Sequence, residues 1–277
     1  MENKLRKLYV SLVFIFIYAP IFVLILYSFN DSKLRGSFTG VTFKWYVELF
    51  NDKEVLTSLY YTMLIAVLTT IIATFIGTVA AIGIYYMKKS ERFVVLNLNY
   101  IPVLNPDIVI AISLMVLYKV FNIDYGFLTL LASHIVLATP YVILSVYPKM
   151  KQMNKFLPEA AMDLGATPFY ALRKVILPEI KQGVFAGALL AFTLSLDDFV
   201  IAYFNSGNGV VNLSTQIYSM ARKGINPSIN ALSISTHLGE EISSRLIPPK
   251  VGARALKKYI ILKNIRMNYT FIKRIYF

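Results

Sequence analysis

The chain contains no cysteine, which excludes disulfides, thiolate metal sites and a cysteine nucleophile together. Histidine is nearly as scarce: His134 and His237 are the two present, too few for a histidine metal centre or an acid–base relay. No Gly-x-x-x-x-Gly-Lys-Ser/Thr loop occurs, so the chain carries no phosphate cradle with which to hydrolyse ATP. A glycine-framed serine and a histidine–acid cluster are missing from the sequence as well, which leaves an enzyme as a poor reading.

Charge is also sparse. Only 16% of residues are charged, 57% are hydrophobic, and the mean hydropathy is +0.60, outside the range of soluble globular domains. The apolar residues fall in charge-free blocks, as in a membrane-spanning chain. The expected fold class is all-α: a polytopic integral membrane helical bundle with five clear spans and a truncated or altered sixth. The net charge of +13 does not point to nucleic acid, because lysines and arginines lie mainly in short loops beside apolar blocks, as positive-inside topology requires.

Leu8 to Phe29 is free of charge and follows Lys4, Arg6 and Lys7. The run is too long for a signal-peptide core, and no small-x-small cleavage site follows it. It reads as an uncleaved first span, kinked at Pro20, with its N-terminus in the cytoplasm. Asp31 to Glu54 balances acids and bases, as suits an external loop, with Trp45, Tyr46 and Phe50 as aromatic anchors at the membrane surface. Val55 to Met87 forms the second span, and Gly77, Ala80, Ala81 and Gly83 suit close helix contact.

Phe93 to Tyr118 holds one charge, Asp107, within Pro102-Val103-Leu104-Asn105-Pro106-Asp107. Two prolines four apart predict an irregular lead-in, then a helix with Pro106 in its first turn and Asp107 beside the positive helix end. Asp107 reads as a cap or as a substrate contact. Tyr125 to Tyr147 is the fourth span, ended by Pro148-Lys149. It contains His134, either a functional intramembrane group or one hydrogen-bonded to a neighbouring helix. The fifth span, Gly183 to Phe204, contains the mid-span pair Asp197-Asp198. An ionised carboxylate there is costly unless it is paired or faces water. Successive helical positions point about 100° apart, so one of the two faces a pathway while the other pairs with a neighbouring helix or caps a break.

Between these spans lies the segment Lys149 to Lys181. Lys149, Lys151, Lys155, Arg173, Lys174 and Lys181 outnumber Glu159, Asp163 and Glu179 there, which places it in the cytoplasm. Pro158 suits a first helical position, with Glu159 and Asp163 near the helix start. Gly165 can take the left-handed conformation that ends a helix, and Thr167-Pro168 restarts one as N-cap and N1. Leu172, Val175 and Ile176 form an apolar face, and Pro178 closes the unit. The alternative is an ordinary amphipathic interfacial loop.

The spacing Glu159-Ala160-Ala161, Gly165, Val175-Ile176-Leu177-Pro178 resembles the EAA loop of MetI-like, binding-protein-dependent ABC importer permeases, with valine in place of the usual isoleucine. The resemblance implies that Glu159, Ala160, Ala161, Gly165, Leu177 and Pro178 dock into an ATP-binding subunit and pass its movement to the membrane helices. It implies as partners an ATP-binding ABC subunit present as a dimer, a second PotB-like permease subunit, an external or periplasmic solute-binding protein and membrane lipid, with no cofactor, metal or catalytic residue. It further implies a multi-pass protein of the bacterial cytoplasmic (inner) membrane. Further motifs are similar to those of polyamine permeases within this family: Asn105-Pro106-Asp107-Ile108-Val109, Phe192 to Val200, Ile217-Tyr218-Ser219-Met220 and Pro227 to Ser233. A multivalent amine would be stabilised by Asp197 and Asp198 on its route. Permeases for another cationic or small organic solute share several of these features.

The resemblance runs from residue 1 to about 236. It divides the chain into a first span and external loop (1–54), an ABC transmembrane type-1 core (55–236) with the EAA loop at 149–181, and an atypical basic tail (237–277). The family's last span starts here with Ala231 to Thr236, and the expected apolar continuation is replaced. Arg245, Lys250, Arg254, Lys257, Lys258, Lys263, Arg266, Lys273 and Arg274 face only Glu240 and Glu241 in the tail. A basic interfacial tail is one reading. A change of reading frame near codon 236, giving a non-functional copy, fits the abruptness better, and translating the other frames of the DNA would decide.

Overall fold

The computed structural model describes residues 2–32, 37–207, 209–223 and 228–235. The tail at 237–277, with both explanations of it, lies outside the described residues. These residues form two compact units, one holding 2–56 and 217–235, the other 57–216.

In the first unit, α1 (Glu2–Ser28) runs through Pro20 and buries none of its apolar window within this chain. Such a helix is stable in lipid, where side chains need no apolar protein neighbour but every backbone group must be bonded within the helix. The loop after it is fixed by Asn30. Its amide donates to the Ser37 carbonyl at 2.7 Å and accepts from the Thr39 N–H at 3.0 Å. Helix α2 (Lys44–Asn51) lies beyond it. Trp45 is not a surface anchor. It is fully buried, with its indole N–H donating to the Asn30 carbonyl at 2.7 Å, because a buried indole needs an acceptor and the loop supplies one. Phe50 is exposed, and Tyr46 shares a hydrogen bond of 2.9 Å with Ser28 Oγ.

Helix α3 (Lys53–Tyr86) leads into the second unit. There α4 (Lys89–Leu104) and α5 (Asp107–Val120) meet at a bend of 103°. The expected irregular lead-in is a regular helix containing Pro102, and Pro106 is the N-cap of α5 rather than a residue of its first turn. The bend has a local cause. A residue before proline is pushed out of the helical region, and both Asn105 (ψ 148°) and Pro106 (ψ 138°) are extended. Asp107 does open α5, beside the positive helix end. Helix α6 (Phe127–Gln152) passes through Pro148, so the fourth span is not ended there.

Among the described residues, four helical stretches are long and apolar enough to cross a membrane, five if the bent α4–α5 pair counts as one span. The packed centre is α6 against α9 (Leu177–Leu196). Gly183 permits this approach, since a Cβ there would fall 2.9 Å from the Ser145 carbonyl oxygen. Gly77 similarly abuts Val142 and Ala81 is buried, whereas Gly83 has open space around its would-be Cβ. The core joins Val142, Val146, Met150, Ile176 and Ile180 into one cluster.

Candidate functional site

The segment between α6 and α9 begins with α7 (Phe156–Asp163). Pro158 stands third in that helix rather than first. This costs no hydrogen bond, because the first four N–H groups have no intrahelical partner, and the residue is buried. Glu159 lies in the first turn, but Asp163 is the last helical residue, not one near the start.

The end of α7 follows from the motif. The Gly165 N–H donates to the Met162 carbonyl at 2.9 Å and the Ala166 N–H to the Ala161 carbonyl at 3.0 Å, the paired bonds of a Schellman cap. The cap requires a left-handed residue at Gly165, whose φ is +88°. Ala160 and Ala161 thus supply small helical positions whose carbonyls receive the closing bonds, the former from Leu164 at 3.2 Å. Thr167 then caps α8 (Pro168–Ala171), its hydroxyl accepting from the Tyr170 N–H at 3.3 Å with Pro168 at N1.

Pro178 does not close the unit. Residues Leu172–Ile176 form a π-helical turn, in which the Leu177 N–H reaches back to the Leu172 carbonyl. Proline has no N–H and would clash with the carbonyl four residues earlier in a regular helix. The widened turn places it at the start of α9, and the helical stretch continues from Pro168 to Leu196. The capping turn is therefore rigidly continuous with a membrane helix. Ile176 and Ile180 anchor it against Met150 and Val146 of α6. Outward, Leu164 is 90% exposed, and Phe169, Tyr170 and Phe156 are exposed beside it, as are Glu159, Ala160, Gly165, Leu177 and Pro178. Ala161 is half-buried.

Asp197 and Asp198 are not successive positions within one helix. Asp197 is the C-cap of α9, its N–H bonded to the Thr193 carbonyl at 3.2 Å. Asp198 lies in the break before α10 (Val200–Asn205). Asp197 is half-buried, while Asp198 is only 7% exposed. Asp198 Oδ2 accepts the Ala202 N–H at 2.9 Å and stands 3.8 Å from His134 Nε2. His134 is fully buried, and its Nδ1 is 2.8 Å from the Leu130 carbonyl. A histidine–acid pairing is thus present in space although absent as a sequence cluster. The available signal was two intramembrane ionisable groups on different spans, since such groups tend to pair.

Two polar ties escaped the sequence reading. Thr62 Oγ1 donates to Asn212 Oδ1 at 3.1 Å and accepts the Leu213 N–H at 2.8 Å, fixing the start of α11 (Leu213–Lys223). Asn205 donates to the Ala111 carbonyl at 3.2 Å, tying α10 to α5. Among the described residues, no group of three or more histidine or carboxylate side chains could hold a metal.

Known proteins match this arrangement. PotC of Escherichia coli strain K12, a spermidine/putrescine transport system permease protein, is 38% identical over 83% of this chain and 87% of its own length. The putrescine transport system permease protein PotI of the same strain is 36% identical over 82% and 84%. A bacterial ABC transporter involved in import of the acidic polysaccharide alginate shares the fold at a TM-score of 0.69, with 15% identity over 89% of this chain and 96% of that one. Residues 73–234 match the family described as binding-protein-dependent transport system inner membrane component. By that match and these identities the chain belongs to this family: it is a multi-pass inner-membrane permease subunit of an ABC importer.

Proposed function

We propose that this permease imports polyamines and that residues 156–178 couple it to the ATPase. Membership of the family implies an ATP-binding subunit and a solute-binding protein as partners. A PotB-like second permease and a cytoplasmic N-terminus complete the proposed assembly. The observation that carries the coupling role is the continuity of the exposed Gly165–Thr167 turn with α9 through a helical stretch that ends at Asp197. Glu159, Ala160, Ala161, Gly165, Leu177 and Pro178 either shape this turn or line its exposed side, and none performs chemistry. Force on Leu164, Phe169 and Tyr170 would then be felt at the α9–α10 break, where Asp197 is the more open carboxylate. A multivalent amine is favoured beside such a carboxylate because an opposite charge offsets its desolvation. Labelled spermidine and putrescine uptake by the assembled importer tests the substrate. Asp197→Asn is expected to reduce it at least tenfold, and normal uptake by the Asp197→Asn, Asp198→Asn double variant removes the carboxylate pathway. Co-purification of the ATPase, weakened by Gly165→Val, tests the coupling.

A further inference from the structure

Helix α1 fixes the level at which the loop after it lies. Leu8 to Ser28 carries no charge and directly follows Lys7. At 1.5 Å per residue it covers about 32 Å, against a hydrocarbon core of about 30 Å. With the basic residues at one boundary of the bilayer, Ser28 reaches the other. Helix α2 is tied to that point. The Thr42 N–H donates to the Phe29 carbonyl at 2.7 Å, and the Tyr46 hydroxyl lies 2.9 Å from Ser28 Oγ. The Phe29 ring is 5.3 Å from the rings of both Phe43 and Tyr46.

Around α2 the residues divide into three sectors. Trp45 and Leu49, four apart, form the buried face. Lys44, Glu48 and Asn51 form an exposed polar face. Phe43, Val47 and Phe50 follow one another at spacings of four and three, which puts them on one side of a helix. The Val47 N–H bonds the Phe43 carbonyl at 3.2 Å, so the helical turn already holds at the N-cap. These three side chains are 67%, 60% and 67% exposed. An apolar stripe beside a polar one, on a base fixed by the Trp45–Asn30 bond, marks an interaction surface.

We propose that α2 is an interfacial helix: Phe43, Val47 and Phe50 enter the headgroup–acyl boundary of the bilayer, Lys44 and Glu48 stay in water, and the immersed stripe fixes the depth of α1. Two observations select lipid over a protein as the occupant. The ties to Ser28 and Phe29 hold α2 at the boundary itself, where an amphipathic helix buries its apolar side. The stripe also continues the exposed apolar surface of α1, including Phe22 and Leu26, through the ring contact of Phe29 with Phe43. Lys44 suits this level, its ammonium lying 5.4 Å from the centre of the Trp45 ring while its stem follows the apolar surface. The surface anchors are thereby reassigned: Phe50 keeps that role, Phe43 and Val47 join it, and Trp45 is the buried peg beneath them.

Because the chain has no cysteine, each introduced cysteine carries a nitroxide spin label at one known position. Val47→Cys, Phe50→Cys, Lys44→Cys and Glu48→Cys are read in nanodiscs of phosphatidylethanolamine and phosphatidylglycerol, first on the full-length chain and then on the assembled importer. Labels at 47 and 50 should relax with oxygen, which partitions into lipid, and those at 44 and 48 with a water-soluble nickel chelate. Equal access of the chelate to all four would leave the stripe in water and overturn the proposal. Labels at 47 and 50 that are immobilised and reached by neither reagent in the assembled importer would give the stripe to a partner subunit and overturn it too. The anchoring role has its own readout, a label at Leu26→Cys in α1. Adding Phe43→Ser, Val47→Ser and Phe50→Ser together removes the immersed face and should change the oxygen-to-nickel ratio there by about twofold or more. An unchanged ratio overturns the anchoring. No transported solute enters either measurement, so the polyamine reading stands or falls separately.

Discussion

Two helices near the proposed coupling segment stop for opposite reasons. Helix α7 ends at Asp163 and is closed at Gly165 through bonds among residues 160–166, all local and mostly exposed. Helix α9 ends at Leu196 with Asp197 as its C-cap, and the next residue stands 3.8 Å from a histidine of α6. The first stop needs only its own sequence; the second needs a neighbour to be in place. On the proposed coupling role, a lever that responds to an external partner gains from a self-contained tip, whose shape survives when the partner leaves. Its far end benefits from tertiary coupling, because a break set by two helices can change when they move against each other.

The largest expected effect lies at the tertiary stop. His134→Phe removes the polar side chain that stands 3.8 Å from the buried Asp198 carboxylate, and breaking a buried charged contact of this kind costs as much as roughly 3–5 kcal/mol. Denaturation of the purified chain in detergent should show a loss of this order, together with reduced membrane level. A loss as small as that of an exposed substitution would mean that α9 also ends for local reasons, and the contrast would collapse. Next comes Gly165→Val at the local stop. Forcing a β-branched residue into a left-handed position costs about 1–2 kcal/mol. Since φ there is +88° with nothing within 4 Å of a built Cβ, the penalty is conformational rather than steric crowding. The chain should still insert and hold its core, while uptake falls about tenfold, as 1.4 kcal/mol implies through the coupling equilibrium.

This division also explains what could be read from the sequence. The apolar blocks, the helix–glycine–helix punctuation and the Thr167-Pro168 restart were legible because each depends on residues within a few positions of one another. The outcome at Pro178 was not: proline predicts a stop, but a π turn over Leu172–Ile176 lets the helix continue, and its cluster with Met150 and Val146 rewards that continuation. Trp45 read as a surface anchor because composition gives no hint that Asn30 would fold back to accept its N–H. For Asp197 and Asp198 the sequence allowed one of them to pair with a neighbouring helix or cap a break, but not which one or with what, since His134 lies far away in the chain.

Thr167→Ala sharpens the local side further. Removing an N-cap hydroxyl costs typically about 1 kcal/mol, here the bond to the Tyr170 N–H at 3.3 Å. The π turn and Ile176 still anchor the helix behind it, so uptake should fall only severalfold and Thr167→Ser should restore it. Full loss of uptake would show that the cap, rather than the glycine turn, sets the shape of the tip.

The smallest effect on the chain itself should come from Leu164→Ser, and this variant separates shape from contact. Leu164 is 90% exposed, and its backbone, not its side chain, takes part in ending α7 through the bond to the Ala160 carbonyl. Exposed substitutions of this kind usually change stability by no more than about 0.5 kcal/mol, so thermal unfolding should be unchanged. Among the described residues, none covers this exposed leucine to reward its burial. If it enters a cleft of the ATPase, its removal forfeits transfer free energy of roughly 1.5–3 kcal/mol, and affinity in a pull-down titration should drop at least tenfold. Equal affinity for Leu164→Ser would move the contact to Phe169 and Tyr170 on the following helix. The Gly165 turn would then serve to aim α8, not to present its own tip.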